Sequence, residues 1–299
     1  NIEFAAKQVV IQDLAQFDFT QVDIALFSAG GSVSEKYAPI AAAAGAIVID
    51  NTSAFRYVDD IPLIVPEVNA HKLGEYKQRN IIANPNCSTI QMLVALAPIY
   101  NKVGIERINV ATYQAVSGSG QNAIDELNNQ SRKLATGGEL TAADINAYPV
   151  QIAFNAIPQI DVFKDNGYTK EEMKMVWETN KIFDDANIKV NPTCVRIPVV
   201  YGHSEAVHIE TRDVADIEQV KGWLKAAPGV SLIDDPAKSE YPTALGEAAG
   251  NDDVFVGRVR KDISHPRGIN LWIVADNIRK GAALNSVQIA EELIKQEFI

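Results

Sequence analysis

The stretch Arg79-Asn-Ile-Ile-Ala-Asn-Pro-Asn-Cys-Ser-Thr89 limits what this chain can fold into more than any other part of it. Ile81-Ile82-Ala83 has the length of a short buried strand, and Asn84-Pro85-Asn86 ends it. From Ile90 to Ile99 the residues are almost wholly apolar, as in a buried helix. Ser88 and Gln91 have capping-box spacing, so the helix is expected to start at Ser88. Cys87 then lies where a strand turns into a helix. Free N–H groups and the positive dipole end beside it would lower the thiol pKa and offer donors to a developing oxyanion. A buried structural cysteine fits the same position, and position alone does not choose between the two.

The apolar helix after Cys87 needs a core large enough to bury it. With 299 residues and 47% apolar content, the chain supports a full core and is expected to form two domains. Mean hydropathy is −0.05 and no membrane-length apolar run occurs, so no membrane partner is expected. Cys87 and Cys194, far apart, suit reducing surroundings and a cytoplasmic location rather than a disulfide scaffold. A net charge of −11 disfavours nucleic acid as a partner, and an anionic small molecule would need a local cluster of Arg and Lys.

Upstream, apolar runs at Val9–Ile11, Val22–Phe27 and Ala46–Ile49 alternate with a helical Ser34–Ala44 stretch. That is the pattern of a parallel sheet covered by helices. The turns Ser28-Ala29-Gly30-Gly31-Ser32 and Asp50-Asn51-Thr52-Ser53 fall at strand carboxyl ends, where such sheets bind ligands. No Gly-x-Gly-x-x-Gly turn opens the chain, and its first residue is Asn1. The first strand and helix of a dinucleotide-binding unit are therefore expected to precede it. Downstream, extended stretches at Arg107–Val116, Lys189–Val200, Glu205–Thr211, Val254–Val259 and Asn270–Val274 suggest a largely antiparallel sheet. Thr169-Lys-Glu-Glu172 is a capping box opening another helix. A further helix is expected near Ile217–Ala226, and Gly281–Ile294 reads as a final amphipathic one.

Among polar candidates, His203 follows a strand and a glycine, in an expected exposed turn where an imidazole serves as acid or base near neutral pH. His71 and His208 read as structural, and His265 as a loop residue. Arg56 follows the polar turn, and Arg196 lies on the strand leading to His203. Glu178 and Lys181 share a helix face, as a site pair or as a solvated ion pair. Gln114 ends an apolar strand and needs a partner, protein or substrate.

Taken together, Asn84-Pro-Asn-Cys-Ser-Thr89, Gln114-Ala-Val-Ser-Gly118, Trp177-Glu-Thr-Asn-Lys181 and Arg196-x6-His203-Ser-Glu resemble the bacterial aspartate-β-semialdehyde dehydrogenases, over essentially the whole chain. The resemblance implies an α/β fold: a doubly wound NADP-binding domain, its first unit missing, and an α+β catalytic and dimerisation domain with a mixed sheet. Residues 1–86 with the C-terminal helix 279–299 would form the first, and 87–278 the second. It implies reversible conversion of L-aspartate-4-semialdehyde, phosphate and NADP⁺ to L-4-aspartyl phosphate and NADPH, on the lysine, threonine and methionine branch of biosynthesis. By position Cys87 resembles the nucleophile, His203 its acid/base partner and Gln114 the residue that positions the intermediate. Arg196 resembles the carboxylate clamp, Glu178 the amine contact, Lys181 and Arg56 the phosphate ligands, and Asn86 a further substrate contact. Ser117, Gly118, Asn277, Ser28, Ala29 and Gly30 correspond to cofactor contacts. A homodimer or dimer of dimers is implied. The alternatives are another phosphorylating aldehyde dehydrogenase, such as N-acetyl-glutamyl-phosphate reductase, or a non-catalytic binding relative.

Overall fold

The computed structural model describes residues 1–299. It opens with a hairpin of β1 (Ile2–Phe4) and β2 (Lys7–Val9). Its turn residues Ala5 and Ala6 both take positive φ, 48° and 59°, as a two-residue hairpin turn requires. This corrects one expectation: Val9–Ile11 gives no strand to the parallel sheet. The tight turn lets Val9 pair locally with Ile2, and Val10 and Ile11 continue as exposed chain.

The parallel sheet has three strands in the order β3 (Ile24–Phe27), β4 (Ile47–Asp50) and β5 (Ile81–Ala83). Between β3 and β4 runs α1 (Gly31–Ala43), entered through Gly30 at φ 103°, so it starts earlier than the Ser34 expected. Between β4 and β5 lies the short α2 (Pro66–Asn69). β4 is central and buried along its whole length, which explains why 46–49 reads as an unbroken apolar run. Its side chains alternate between two cores. Val48 joins Ala38, Ala41 and Ala42 of α1, whereas Ile47 and Ile49 join Ile82 and the C-terminal helix residues Ile289 and Leu293.

Next comes α3 (Cys87–Val103), buried on nearly every side, as its apolar sequence demands. It lies against one face of a six-stranded sheet. The remaining elements are β6 (Ile105–Gln114), α4 (Gln121–Ala135), α5 (Lys170–Phe183), β7 (Lys189–Arg196), β8 (His203–Thr211) and α6 (Ile217–Ala226). They are followed by β9 (Val230–Leu232), β10 (Val254–Lys261), β11 (Gly268–Ala275) and α7 (Leu284–Lys295). The sheet order is β7-β6-β8-β11-β10-β9, with β6/β7 and β9/β10 parallel and the other pairs antiparallel. The sheet is therefore mixed and mostly antiparallel. α5 starts at the capping box read from sequence, Thr169 accepting from Glu172 N and Glu172 accepting from Thr169 N.

One buried ion pair ties the two sheets. Lys280, in the turn between β11 and α7, is 1% exposed, and its Nζ lies 2.7 Å from both carboxylate oxygens of Glu67 in α2. Asn285 Oδ1 and Gln288 Oε1 complete its shell at 3.0 and 2.6 Å. The next residue, Gly281, faces Cys87 so closely that a Cβ there would fall 2.8 Å from the Cys87 Cβ. Lys280→Met is expected to cost about 3–5 kcal/mol in denaturant unfolding, because it leaves the Glu67 charge buried without a partner. A loss below about 1 kcal/mol would show that the pair contributes no more than a surface one.

Candidate active site

In the parallel sheet Phe27, Asp50 and Ala83 stand in register, so the loops after β3, β4 and β5 leave from one edge. A row of polar side chains laces them. Asn51 donates to Ser28 Oγ (3.2 Å), Asn84 to Asn51 Oδ1 (2.6 Å) and Asn285 to Asn84 Oδ1 (2.6 Å). The loop after β5 carries the nucleophile candidate. Asn86, and not Ser88 as expected, caps α3: its Oδ1 accepts from Ser88 N at 3.0 Å and Thr89 N at 3.3 Å. Gln91 is consequently free of the box and sends Nε2 toward the His203 carbonyl, 3.5 Å away. Cys87 becomes the first residue inside the helix.

The expected acidic thiol is corrected. Burial, followed by the Glu171 carboxylate, pushes the Cys87 thiol up to about 12, against the pull of Arg196, Arg56 and Lys174. A dipole end contributes a fraction of a charge, whereas Glu171 contributes a whole one in a dry setting. His203 is also corrected: it lies at the start of β8, fully buried, and not in an exposed turn. Burial, followed by the Arg196 charge, holds its pKa well below the usual imidazole range. Its Nδ1 accepts from Ala115 N at 3.0 Å, and its Nε2 is buried without a partner in the protein.

Arg196 is buried; its Nη1 donates to the Ala115 carbonyl at 2.6 Å, and its Nε is left unpartnered. Such a donor is costly unless a ligand takes it. Gly118 makes room for both groups: a Cβ there would lie 3.2 Å from Arg196 Nη1 and 3.3 Å from His203 Cε1. Register brings the rest together, since Gln114 on β6 is paired with Arg196 on β7.

Sequence reading missed Glu171, which the fold sets at the centre of this group. It accepts from Asn86 Nδ2 (2.9 Å), Gln114 Nε2 (3.3 Å) and Lys174 Nζ (2.9 Å). Burial raises its carboxyl, but Lys174 and the two amides outweigh burial and hold it below the usual carboxylate range. Because a carboxylate only accepts, the amide of Gln114 must turn its NH₂ toward Glu171, which leaves its oxygen for the cleft.

Glu178 and Lys181 do other work than expected. Glu178 is fully buried and accepts from Asn86 N (2.6 Å), Arg56 Nη1 (3.1 Å) and the Tyr57 hydroxyl (3.2 Å). The solvated Glu178–Lys181 pair is therefore ruled out. Lys181 spends its three N–H groups on the carbonyls of Arg56, Val58 and Ile61, at 3.0, 2.7 and 2.9 Å. With those donors used, it is not presented to a phosphate. Arg56 is partly spent too, on Glu178 and the Thr52 and Asn51 carbonyls, but retains N–H groups on both terminal nitrogens. The missed signal was a repetition: α5 carries Glu-x-x-Lys twice, at Glu171–Lys174 and Glu178–Lys181, seven residues apart on one helix face.

On the cofactor side, Ser28, Ala29 and Gly30 are exposed at the uncapped start of α1. An open helix start with free N–H groups suits a phosphate. Gly118 sits beside His203 and Arg196, and Ser117 is hydrogen-bonded to Asn277. Asn277 is used internally, donating to Ser117 Oγ (3.0 Å) and accepting from Gly202 N (3.0 Å).

Because the thiol is raised, alkylation of Cys87 in the free protein should speed up about tenfold per pH unit from about pH 6 to about pH 9 without a plateau. A plateau below pH 8 in iodoacetamide labelling would show that the helix start outweighs burial.

A family model described as "Semialdehyde dehydrogenase, NAD binding domain" matches residues 2–76, and one described as "Semialdehyde dehydrogenase, dimerisation domain" matches residues 96–280. An aspartate-semialdehyde dehydrogenase of Shewanella violacea is 63% identical over 297 residues, covering 99% of this chain and 86% of the relative. One from Aquifex aeolicus is 54% identical over 299 residues, covering 100% of this chain and 87% of the relative. The crystal structure of aspartate semialdehyde dehydrogenase II from Vibrio cholerae, complexed with ASA, superposes with a TM-score of 0.95 at 62% identity, covering 98% of this chain and 86% of that one. Identity at this level over nearly the full length, with both family models matched, settles the kinship: this chain belongs to the aspartate-semialdehyde dehydrogenase family.

Proposed function

We propose that the chain reversibly converts L-aspartate-4-semialdehyde, phosphate and NADP⁺ into L-4-aspartyl phosphate and NADPH through a thioester on Cys87. The observation that supports this most is the pairing, beside Gly118, of two buried side chains each with an unpartnered nitrogen, Arg196 Nε and His203 Nε2, with the Arg196 charge acting on the Cys87 thiol. Arg196 takes the substrate carboxylate with its planar fork, and His203 faces the oxygen on the reacting carbon. Glu171, with the free oxygen of Gln114, holds the substrate ammonium; Lys174 and the spare N–H groups of Arg56 draw in phosphate. Ser117 and Gly118 would hold the nicotinamide, which would supply the hydride acceptor for thioester formation. Phosphate oxygen then attacks the thioester carbon, and the Cys87 sulfur leaves. The preference for NADP over NAD is taken from the family resemblance, and calorimetric titration with both dinucleotides decides it.

The open face of the six-stranded sheet, opposite α3, carries Tyr113 and Trp272 with ring centroids 5.7 Å apart, beside Asn109 and His208. A half-buried aromatic face of this kind favours a homodimer, or a dimer of dimers, built through it. A monomer at micromolar concentration in sedimentation would exclude that assembly.

A second reading, reduction of an N-acylated amino-acid aldehyde, fits less well, because Glu171 is a buried ionised acceptor that suits a free ammonium. Cys87→Ala is expected to abolish phosphate-dependent aldehyde oxidation. Arg196→Lys should lose at least about a hundredfold in kcat/KM, since a lysine point charge does not reproduce the fork. Turnover of N-acetyl-glutamate semialdehyde above that of aspartate semialdehyde would favour the second reading.

Glu171 and Glu178 separate by their failures. Glu171→Gln should raise the KM for the semialdehyde at least about tenfold through loss of a charge-assisted contact, in addition to any stability lost with its three protein donors. Glu178→Gln should lower the melting temperature first, because three donors lose an ionised acceptor. The reverse pattern would return the amine contact to Glu178.

A further inference from the structure

Among the arginine and lysine side chains, Arg56, Arg196 and Lys280 are buried outright. A buried cation normally keeps a carboxylate beside it, because an uncompensated charge out of water is costly. Arg56 has Glu178 at 3.1 Å, and Lys280 has Glu67 at 2.7 Å. Arg196 makes no ion pair. Its side chain spends one hydrogen bond on the Ala115 carbonyl, at 2.6 Å, and its Nε has no partner.

What stands beside its charge is an aromatic ring. The Arg196 guanidinium carbon lies 5.8 Å from the centroid of the Tyr148 ring, a distance at which the negative face of a ring attracts a cation. Tyr148 belongs to the long connector between α4 and α5. Its hydroxyl donates to Ser119 Oγ at 3.1 Å, and its ring packs against the small core of Val116, Ile124 and Leu127. Further along the connector, Ile157 exchanges both main-chain hydrogen bonds with Arg196, at 2.8 and 2.9 Å. Val116 and Ser119 lie on the turn that directly follows Ala115, so the ring and the carbonyl that hold the guanidinium are fixed relative to each other.

A ring and a carboxylate would serve this position differently. A carboxylate would take the guanidinium fork itself, and an incoming carboxylate would have to displace it. A ring lowers the cost of the buried charge through its quadrupole and takes up no N–H group. The fork stays open.

We propose that Tyr148 is the positioning residue of the Arg196 clamp: its ring stands where a counter-ion would otherwise sit, and it holds the guanidinium oriented and unoccupied until the substrate carboxylate arrives. The inference rests on Arg196 taking that carboxylate. The electrons of the ring then set the affinity for one end of the semialdehyde and leave phosphate binding and the chemical step alone.

The test varies those electrons and keeps the shape of the ring. Phenylalanine and its trifluoro and pentafluoro analogues, placed at position 148 of the enzyme, weaken the negative face in steps. Tyr148→Phe loses only the bond to Ser119 and should hold the KM for the semialdehyde within about twofold of the parent's. From phenylalanine to the pentafluoro analogue that KM should rise at least about fivefold, while kcat and the KM for phosphate stay within about twofold. Tyr148→Leu should match the pentafluoro analogue. A semialdehyde KM that ignores fluorination overturns the inference. So does an equal rise in the KM for phosphate, or a Tyr148→Phe enzyme as weak as Tyr148→Leu, which would give the role to the hydroxyl. If Tyr148→Leu does not fold, the fluorinated series decides alone. Arg196→Lys separates the two readings. If it handles the semialdehyde as the parent does, the clamp itself is wrong; if it fails while the fluorinated series does not, only the role of Tyr148 falls.

Discussion

The Glu178 carboxylate is the joint on which the site depends. It is fully shielded from water and joins three separate parts of the chain: the loop after β4 through Arg56 and Tyr57, the loop after β5 through Asn86 N, and α5 on which it sits. A buried carboxylate is tolerated only when its oxygens are satisfied, and here all three donors belong to segments that must converge at Cys87. Asn86, fixed through its backbone by Glu178, then caps α3 with one end of its amide and meets Glu171 with the other. The position of the nucleophile is set by this relay rather than by α3 alone.

Electrostatics in the cleft depend on that convergence. The protein is strongly acidic overall, yet Arg56, Lys174 and Arg196 all act on one sulfur. Each is held by protein oxygens, and each retains N–H capacity or charge toward the cleft. The site is thus locally cationic in an anionic molecule, which suits a phosphate and a substrate carboxylate.

Much of this was legible in the sequence, and the failures have physical causes. The period-two and apolar runs located β5, β6, β10 and β11 to within a few residues. The Thr169–Glu172 box and the bounds of α6 agree with the structure because local chemistry decides them. The Ser88–Gln91 box failed because Asn86, two residues earlier, is the better-placed acceptor for the same N–H groups. The choice between the two Glu-x-x-Lys pairs of α5 is invisible in sequence, since both lie on one face; only the docking of the helix N-terminus against Asn86 and Gln114 selects Glu171. The thiol shift went the wrong way because a helix start is local and burial is not. Val9–Ile11 looked like a core strand, but a tight turn gave it a nearer partner.

The pairing of β6 with β7 has a consequence for how the enzyme comes into being. Gln114 meets Arg196 only when strands some eighty residues apart align in parallel, with α4 and α5 between them, and His203 arrives one strand later. Parallel pairing over such a separation must close a long loop before it gains any contact. The thiol at position 87 leaves the ribosome well before its clamp and its donor exist. Since α7 covers one face of the small sheet and the later strands cover α3, the nascent chain carries its thiol before the elements that enclose it exist, and catalytic competence arrives late.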